Sequence, residues 1–266
     1  MNNSFDVAIL GGGLAGLTLA LQTRKALPNA SIILMERRDG GAPEAAHKVG
    51  ESTVELGTHY IREVLDLKDY MDEHQLPKHG LRFFFSPQHK NDISKRVELG
   101  PRKLLPVPSH QIDRGTFENK LTELCYERGI EVLLGAKVNE VEFNDAGHTV
   151  EFNHENEDKK ITARWVVDAT GRASFLKRKL GLKKEIDHAV CSAWFRIKGD
   201  LNVDDWSENK EWNTFLEPGL RRLGTIHFMD KGYWVWLMPL ATGNTSVGIV
   251  ADPTIHPFDT YNKLDK

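Results

Sequence analysis

The chain opens with two short apolar runs on either side of a stretch with helical spacing. Residues 6–10 and 31–35 are mainly apolar, as expected of strands buried on both faces of a parallel sheet. Between them, residues 14–26 repeat leucine at helical spacing, and Pro28 follows the last turn. Strand, helix and strand in this order predict one βαβ unit and therefore a parallel sheet.

The pattern after residue 40 predicts further helices and strands and then changes character. Helices are predicted at 54–65, 67–74 and 114–128, and strands at 81–85, 131–134, 138–143, 149–152 and 161–167. After Gly181, four runs rich in aromatic residues are separated by turn residues. They predict the strands of a second, antiparallel sheet at 190–197, 224–228, 233–240 and 245–250.

Composition and charge narrow the class of protein. The 266 residues carry a net charge of −3, from 35 basic and 38 acidic residues, and give no basic face for nucleic acid. Cys125 and Cys191 are too few for a disulfide framework, have no metal-ligand spacing and suit a reducing compartment. No signal peptide precedes the first strand, and no stretch is apolar enough to span a bilayer. We expect a cytoplasmic protein with no metal, nucleic-acid or membrane partner.

The six residues after the first strand read Gly-Gly-Gly-Leu-Ala-Gly, which fits GxGxxG at Gly11, Gly13 and Gly16. The first glycine of such a turn permits a tight bend and the second lets a diphosphate approach the backbone. The third lets the helix pack closely on the strand. We call residues 11–16 the glycine turn.

The residues around the glycine turn complete a candidate nucleotide site. Leu14 and Ala15 begin the predicted helix, whose free N–H groups and positive dipole end suit an anion. Glu36 lies 20 residues past Gly16, at the spacing of a carboxylate that binds ribose hydroxyls, and Arg37 follows it. The alternative is a tight turn with a surface glutamate. The turn itself leaves NAD and FAD both open.

A second turn, Val-Val-Asp-Ala-Thr-Gly-Arg-Ala-Ser at 166–174, favours FAD. It resembles the Asp-Ala-Thr/Ser-Gly-Arg-x-Ser motif of FAD-dependent monooxygenases, halogenases and geranylgeranyl-reductase-like enzymes, where it closes over the flavin's diphosphate and ribose. The resemblance implies that Asp168 and Gly171 contact FAD. Asp113-Arg114 resembles the Asp-Arg-x-x-Phe segment of the same superfamily and adds Arg114, although an ordinary helix capped by Asp113 explains it equally well. We include Val138, at the start of a predicted strand, among the candidate contacts.

This resemblance implies an α/β fold in two parts. A Rossmann-like FAD-binding domain with a parallel sheet is expected over residues 1–185, and an antiparallel, substrate-side sheet over 186–266. Residues 75–110 are expected to contribute to the substrate side.

Residues 49–53, Val-Gly-Glu-Ser-Thr, resemble the Val-Gly-Glu-Ala/Ser-Thr loop beside the isoalloxazine ring of flavin-dependent halogenases. The resemblance gives Glu51 a place at the catalytic centre and makes Ser52 and Thr53 flavin contacts. The usual proline soon after the loop is absent here. The same residues also fit a helix N-cap, with Glu55 completing a capping box with Ser52.

Two more segments resemble the same halogenases. Lys78, in Lys-His-Gly-Leu-Arg-Phe, matches the catalytic lysine of their Lys-x-Gly-Ile-x-Phe segment; its alternative is a solvated charge at a loop–strand junction. Trp234 and Trp236 match their Trp-x-Trp-x-Ile-Pro signature, with Met238 in place of isoleucine, and share one face of a strand. A pair of core aromatics is the alternative for the tryptophans.

The resemblance implies a reaction in which reduced FAD, oxygen and a halide give hypohalous acid. Lys78 then relays the electrophilic halogen to an electron-rich organic small molecule, for which an aromatic compound is one candidate, while the tryptophan pair separates the flavin from that substrate. Only one glycine-rich fingerprint is found, so a separate flavin reductase is expected to supply reduced FAD.

The superfamily's Gly-Asp-Ala segment, expected after the Trp-x-Trp strand, is not found between Trp236 and Lys266. We therefore expect a truncated N-terminal portion of such an enzyme. The sequence does not determine whether this portion is active or how tightly it binds FAD. Two alternatives to a halogenase remain. One is a flavin-dependent monooxygenase or reductase, and the other is an inactive FAD-binding remnant.

Overall fold

The computed structural model describes residues 3–43, 48, 50–103 and 105–263, which form two compact units. Unit 1 comprises Met1–Ala46 and Arg114–Glu185, and unit 2 comprises His47–Asp113 and Ile186–Lys266. Each unit is therefore built from two separate segments of the chain. No helix within the described residues is both long and apolar enough to cross a membrane.

The helices and strands are numbered in chain order. The helices are α1 (Leu14–Ala26), α2 (Glu55–His59), α3 (Lys68–His74), α4 (Arg114–Glu127), α5 (Phe175–Lys179), α6 (Lys210–Thr214) and α7 (Leu220–Leu223). The strands are β1 (Ser4–Leu10), β2 (Ile32–Glu36), β3 (Leu76–Pro77), β4 (Leu81–Phe84), β5 (Glu98–Leu99), β6 (His110–Gln111), β7 (Glu131–Leu134), β8 (Lys137–Glu142), β9 (His148–His154), β10 (Glu157–Asp168), β11 (Cys191–Lys198), β12 (Thr225–Asp230), β13 (Tyr233–Pro239) and β14 (Asn244–Ala251). A π-helical turn, Tyr60–Val64, continues α2.

The sheet of unit 1 has the order β7-β2-β1-β10-β9-β8. The first four strands are mutually parallel, and β9 and β8 continue the sheet in antiparallel pairing. Residues 8–10 of β1 are fully buried, because the strand is flanked on both edges and covered on both faces. Leu10 pairs with Met35 on one side and Asp168 on the other, so the turns that follow β1 and β10 leave the same edge of the sheet. Ligands of open α/β sheets bind at this carboxyl edge.

The sheet of unit 2 has the order β11-β14-β13-β12-β4-β5, and its pairing is antiparallel except between β12 and β4. One face carries a buried apolar cluster that includes Phe84, Ile226 and Leu237. Because strand side chains alternate between faces, Trp236 and His227 lie on the opposite face. We call this opposite face the open face. A separate two-stranded sheet, β3 with β6, lies in the same unit.

The predicted α/β class, with one parallel and one antiparallel region, is confirmed. The predicted strand 161–167 is longer in the structure, where β10 begins at Glu157. Glu155 and Asn156 both adopt positive φ, 57° and 64°, and close a two-residue hairpin from β9. The two strands and the turn between them were predicted, but the polar residues on both sides of the turn hid the full length of the strands. The helices α6 and α7 were not predicted.

Candidate active site

The glycine turn brings β1, α1 and the turn after β10 closer together than a side chain would allow. Gly11 adopts φ +113°, and a Cβ there would collide with the carbonyl oxygen of Ala169. A Cβ on Gly16 would collide with the carbonyl oxygen of Gly11. Since backbone atoms cannot rotate away, these two positions require glycine for steric reasons.

Gly13 has a different environment from the two packed glycines. A Cβ at Gly13 would have no heavy atom within 4 Å, so the position faces open space. Gly13 is also the N-cap residue of α1, and no side chain hydrogen-bonds there. The first N–H groups of α1, from Leu14 and Ala15 onward, are thus left for an anion at the positive end of the helix dipole. This uncapped cradle fits the diphosphate of FAD.

Glu36 ends β2 with both carboxylate oxygens directed at backbone. One oxygen accepts a hydrogen bond from Gly12 N at 2.7 Å and the other from Arg38 N at 2.9 Å. These bonds fix the carboxylate beside the glycine turn and leave lone pairs for ribose hydroxyls. Arg37, by contrast, is exposed.

Asp168 organises the turn after β10 from within. One carboxylate oxygen accepts hydrogen bonds from the N–H and the hydroxyl of Thr170, at 3.0 and 2.6 Å, and the other from Leu176 N at 2.8 Å. Burial acts to raise the pKa of Asp168, but these hydrogen bonds outweigh it and lower the pKa below its usual value. Asp168 therefore stays ionised and holds Gly171 and its neighbours beside a cavity of about 460 Å³, which Ala15 also lines.

The other two candidate contacts of unit 1 have structural partners. Arg114 donates to Oε1 of Glu118, one helical turn on, with Nε at 3.0 Å and Nη2 at 2.5 Å. Val138 lies in β8, pairs with Phe152 and packs against the buried cluster of unit 1. A role for either residue in FAD binding stays a prediction.

Lys78 lies between β3 and β4 of unit 2 and is only 8% exposed. Its backbone N–H donates to Ser109 O at 2.8 Å, and its ammonium donates to the backbone carbonyl of Thr53 at 2.7 Å. Burial lowers the pKa of Lys78, against the negative charge of Glu55, which acts to raise it. The alternative of a solvated surface charge is therefore wrong.

The loop at 50–53 is held by tertiary hydrogen bonds; Val49 lies outside the described residues. Ser52 shares a hydrogen bond with the hydroxyl of Thr225 at 3.0 Å. The Thr53 hydroxyl contacts the Thr58 hydroxyl and the backbone carbonyl of His110, both at 2.7 Å. The helix-cap alternative is wrong, because α2 starts one residue later and no side chain caps it.

Glu51 belongs to a buried charge network within unit 2. Arg196, on β11, donates to Glu51 Oε1 at 2.5 Å and to the carboxylate of Asp113 at 3.1 and 3.2 Å. Thr242 donates a further hydrogen bond to Asp113 at 2.7 Å. The positive guanidinium bridges two buried carboxylates and ties the loop to the sheet. Sequence reasoning missed Arg196, since 145 residues separate it from Glu51.

The open face presents a row of aromatic side chains across four strands. Trp194 and Trp236 are both in register with Gly248, and a Cβ on Gly248 would lie 2.6 Å from the Cβ of Trp194. This glycine therefore makes room for the two indoles. Next along the row, His227 pairs with Trp236 on one side and Phe83 on the other.

The tryptophans predicted as a pair are both half-buried on the open face. Trp236 donates from its indole N–H to the hydroxyl of Ser246 at 3.2 Å. It also lines a cavity of about 250 Å³ together with Glu51, Ser52, Thr225 and His227. Trp234 is two residues away on the same face and does not line this cavity. Neither belongs to the buried cluster behind the sheet, so the core-aromatic alternative is wrong.

Comparison with known proteins agrees with this geometry. The family model described as FAD binding domain matches residues 4–246. The chain is 26% identical to the flavin-dependent halogenase chlA of Dictyostelium discoideum, over 99% of this chain and 48% of that protein. It is 27% identical to a 1H-pyrrole-2-carbonyl-[peptidyl-carrier protein] chlorinase of Pseudomonas fluorescens, over 94% of this chain and 56% of that protein. The chain thus spans about half the length of these curated relatives.

Solved structures show the same fold. The crystal structure of halogenase PltM in complex with phloroglucinol and FAD superposes with a TM-score of 0.75 at 20% identity, covering 95% of this chain and 52% of that one. A flavoprotein/dehydrogenase from Cytophaga hutchinsonii gives a TM-score of 0.74 at 22% identity, covering 98% and 58%. With the family match across most of the chain and a glycine turn shaped for a diphosphate, the protein belongs to the FAD-binding domain family, and FAD is its cofactor.

Proposed function

We propose that this protein is an FAD-dependent oxidoreductase of the halogenase type, which transfers a halogen to an electron-rich organic small molecule. The observation that carries the proposal is Lys78, a buried lysine whose ammonium is fixed on the Thr53 carbonyl at 2.7 Å. Among the described residues its ammonium has a carbonyl oxygen as partner and no carboxylate, which makes its burial costly, and a titratable group perturbed in this way is a candidate for chemistry. Similarity to proteins named as halogenases supports the same reaction.

FAD, when bound in its reduced form, supplies hypohalous acid from oxygen and a halide. The residues of this chain would then direct the halogen. Lys78 donates a hydrogen bond to hypohalous acid or carries the halogen on its neutral amine, and its lowered pKa makes the second form more accessible. Trp234 and Trp236 would keep the substrate from direct contact with the flavin. Glu51, tied to Arg196, would hold the loop that carries Thr53.

Two partners follow from the proposal. A separate flavin reductase would supply reduced FAD, and a chloride or bromide ion would supply the halogen. Two relatives are named as a chlorinase and a brominase of a pyrrole that is attached to a carrier protein. A substrate attached to a carrier protein is therefore one kind of substrate to test. The 250 Å³ cavity has room for a single aromatic ring.

The test incubates the 266-residue chain with FAD, a flavin reductase, bromide and a phenol. We expect a brominated phenol that forms only when bromide is present. Lys78→Ala should reduce its formation by about 100-fold or more, the usual contribution of a positioned proton donor, with FAD retained on gel filtration. Lys95→Ala is the matched control, because Lys95 is an exposed lysine of the same unit, paired with Asp92.

The other outcomes separate the alternatives. Oxygenated product that forms without halide would identify a flavin-dependent monooxygenase and refute halogenation. Equal turnover in Lys78→Ala and the wild type would exclude the lysine from the reaction. Absence of product together with loss of FAD on gel filtration would point to an inactive remnant.

A further inference from the structure

His227 on β12 is a polar side chain that lines the 250 Å³ cavity. The proposed reaction does not use it. It lies in the aromatic row of the open face, between Trp236 and Phe83 in register. Its imidazole stacks on the ring of Phe83 with centroids 5.0 Å apart and an interplanar angle of 25°. Stacking fixes the plane of the imidazole, so the ring is oriented before any ligand binds.

One hydrogen bond fixes the tautomer of His227. Nδ1 lies 3.0 Å from the backbone carbonyl oxygen of Thr225. A carbonyl oxygen can only accept, so Nδ1 must carry the proton and donate it. In the neutral ring the lone pair is therefore on Nε2, which is the form of histidine able to accept a proton.

The segment that carries Lys78, the proposed halogen-transfer residue, lies beside the start of β12, the strand that carries His227. The two are joined by hydrogen bonds from His79 N to Leu223 O at 2.9 Å and from Thr225 N to Gly80 O at 3.1 Å. Burial lowers the pKa of His227, and the positive charge of Lys78 lowers it further, against the backbone carbonyls of Thr225 and Arg82. The neutral ring thus prevails at neutral pH. Among the described residues that line the cavity, the other titratable group is Glu51, which is paired with Arg196.

Resting on the proposed function, we propose that His227 is the catalytic base that accepts the proton which the aromatic substrate releases on halogenation. The ring carbon of the arene forms its bond to halogen with a π electron pair, while the oxygen–halogen bond of hypohalous acid breaks. The departing hydroxide takes a proton from the Lys78 ammonium and leaves as water. Nε2 of His227 removes the proton from the halogenated carbon, and the C–H electron pair restores the aromatic ring. Return of that proton to the Lys78 amine closes the cycle, so arene and hypohalous acid give haloarene and water.

The test compares His227→Asn with the wild type on anisole and on ring-deuterated anisole. Asparagine keeps an N–H that can donate to Thr225 O but has no basic nitrogen. We expect bromination to fall by about 100-fold, the usual size of a general-base contribution, with hypobromous acid formation, trapped as taurine bromamine, unchanged. A normal deuterium isotope effect should appear only in the variant, because loss of the base makes C–H cleavage rate-limiting. His59→Asn, at an exposed histidine of α2, is the control.

The outcomes distinguish this inference from the proposed function. Absence of hypobromous acid in the wild type would refute the proposed function. Hypobromous acid formation with equal bromination in His227→Asn and the wild type would overturn the role of His227 alone. A direct readout needs no turnover: ¹⁵N NMR of the ring nitrogens should show the Nδ1–H tautomer, neutral at pH 7. An Nε2–H tautomer would overturn the inference, since Nε2 could not then accept the proton.

Discussion

The glycine turn of unit 1 and the open face of unit 2 are built from different kinds of atoms. In the glycine turn the functional groups are backbone N–H groups, and side chains are excluded because Gly11 and Gly16 touch backbone atoms. On the open face the functional groups are side chains such as Trp236 and His227, which separate strands bring into one row. The first arrangement depends on six consecutive residues, whereas the second depends on strand register across a whole sheet.

This difference separates two ways in which a site can fail. A backbone site tolerates no added atom where strand and helix meet. A side-chain site depends on buried polar groups that each need a partner, such as Glu51 with Arg196 and Lys78 with Thr53. A larger side chain in the glycine turn should therefore abolish that site, because it collides with backbone atoms. A substitution among the buried polar groups of unit 2 should weaken its site, because it removes a charged partner.

The largest effect is expected inside the glycine turn, from Gly16→Val compared with Gly13→Ala. Valine at 16 would meet the carbonyl oxygen of Gly11, and neither backbone can move without separating α1 from β1. We expect a loss of at least about 3 kcal/mol of folding free energy, measured by urea denaturation. Alanine at 13 should leave stability unchanged, since its Cβ meets open space, but should weaken FAD binding by about tenfold, or about 1.4 kcal/mol, because it occupies the room for the diphosphate. Equal FAD affinity in Gly13→Ala and the wild type would place the diphosphate elsewhere.

The same contrast explains what the sequence could predict. The glycine turn, Glu36 and the α1 boundaries were found because each is encoded by neighbouring residues. For Ser52 and Thr53 the local sequence also suggested a helix cap. In the structure the Ser52 hydroxyl hydrogen-bonds to the Thr225 hydroxyl, and the Thr53 hydroxyl hydrogen-bonds to the backbone carbonyl of His110.

Long-range packing explains the residues that sequence reasoning missed or left open. The burial of Lys78 depends on contacts with residues 53 and 109, and no local pattern reports them. Arg196, His227 and Gly248 acquire their roles only from strand register, which a single sequence does not show. The alternation of Trp234 and Trp236 was the one available signal of a shared face.

A loss of stability of similar size is expected from Arg196→Met in unit 2. The substitution removes the guanidinium and leaves the carboxylates of Glu51 and Asp113 buried near each other without their shared cation. Breaking a buried pair from one side usually costs about 3–5 kcal/mol, measured by urea denaturation. Arg222→Met is the matched control, because Arg222 pairs with Asp200 at the surface, where ion pairs contribute little. Equal losses in the two variants would mean that the network around Glu51 is not desolvated in solution.

The smallest effect is expected from Lys78→Met, and the size of its change in stability depends on pH. Burial lowers the pKa of Lys78 in the folded state below the 10.5 of the unfolded chain. Between the pKa of the folded state and that of the unfolded state, the unfolded protein binds more protons than the folded protein. The contribution of Lys78 to stability therefore rises with pH in this range. That contribution is fully present above pH 10.5 and is lost as the pH falls through the pKa of the folded state. At pH 7 the wild type therefore holds a partly desolvated ammonium, and methionine should raise Tm. The gain should shrink as pH approaches 10.5, whereas the exposed Lys95→Met should show no such trend. A lower Tm for Lys78→Met at pH 7 would mean that the hydrogen bond to Thr53 outweighs the desolvation, and that the lysine serves stability as well as chemistry.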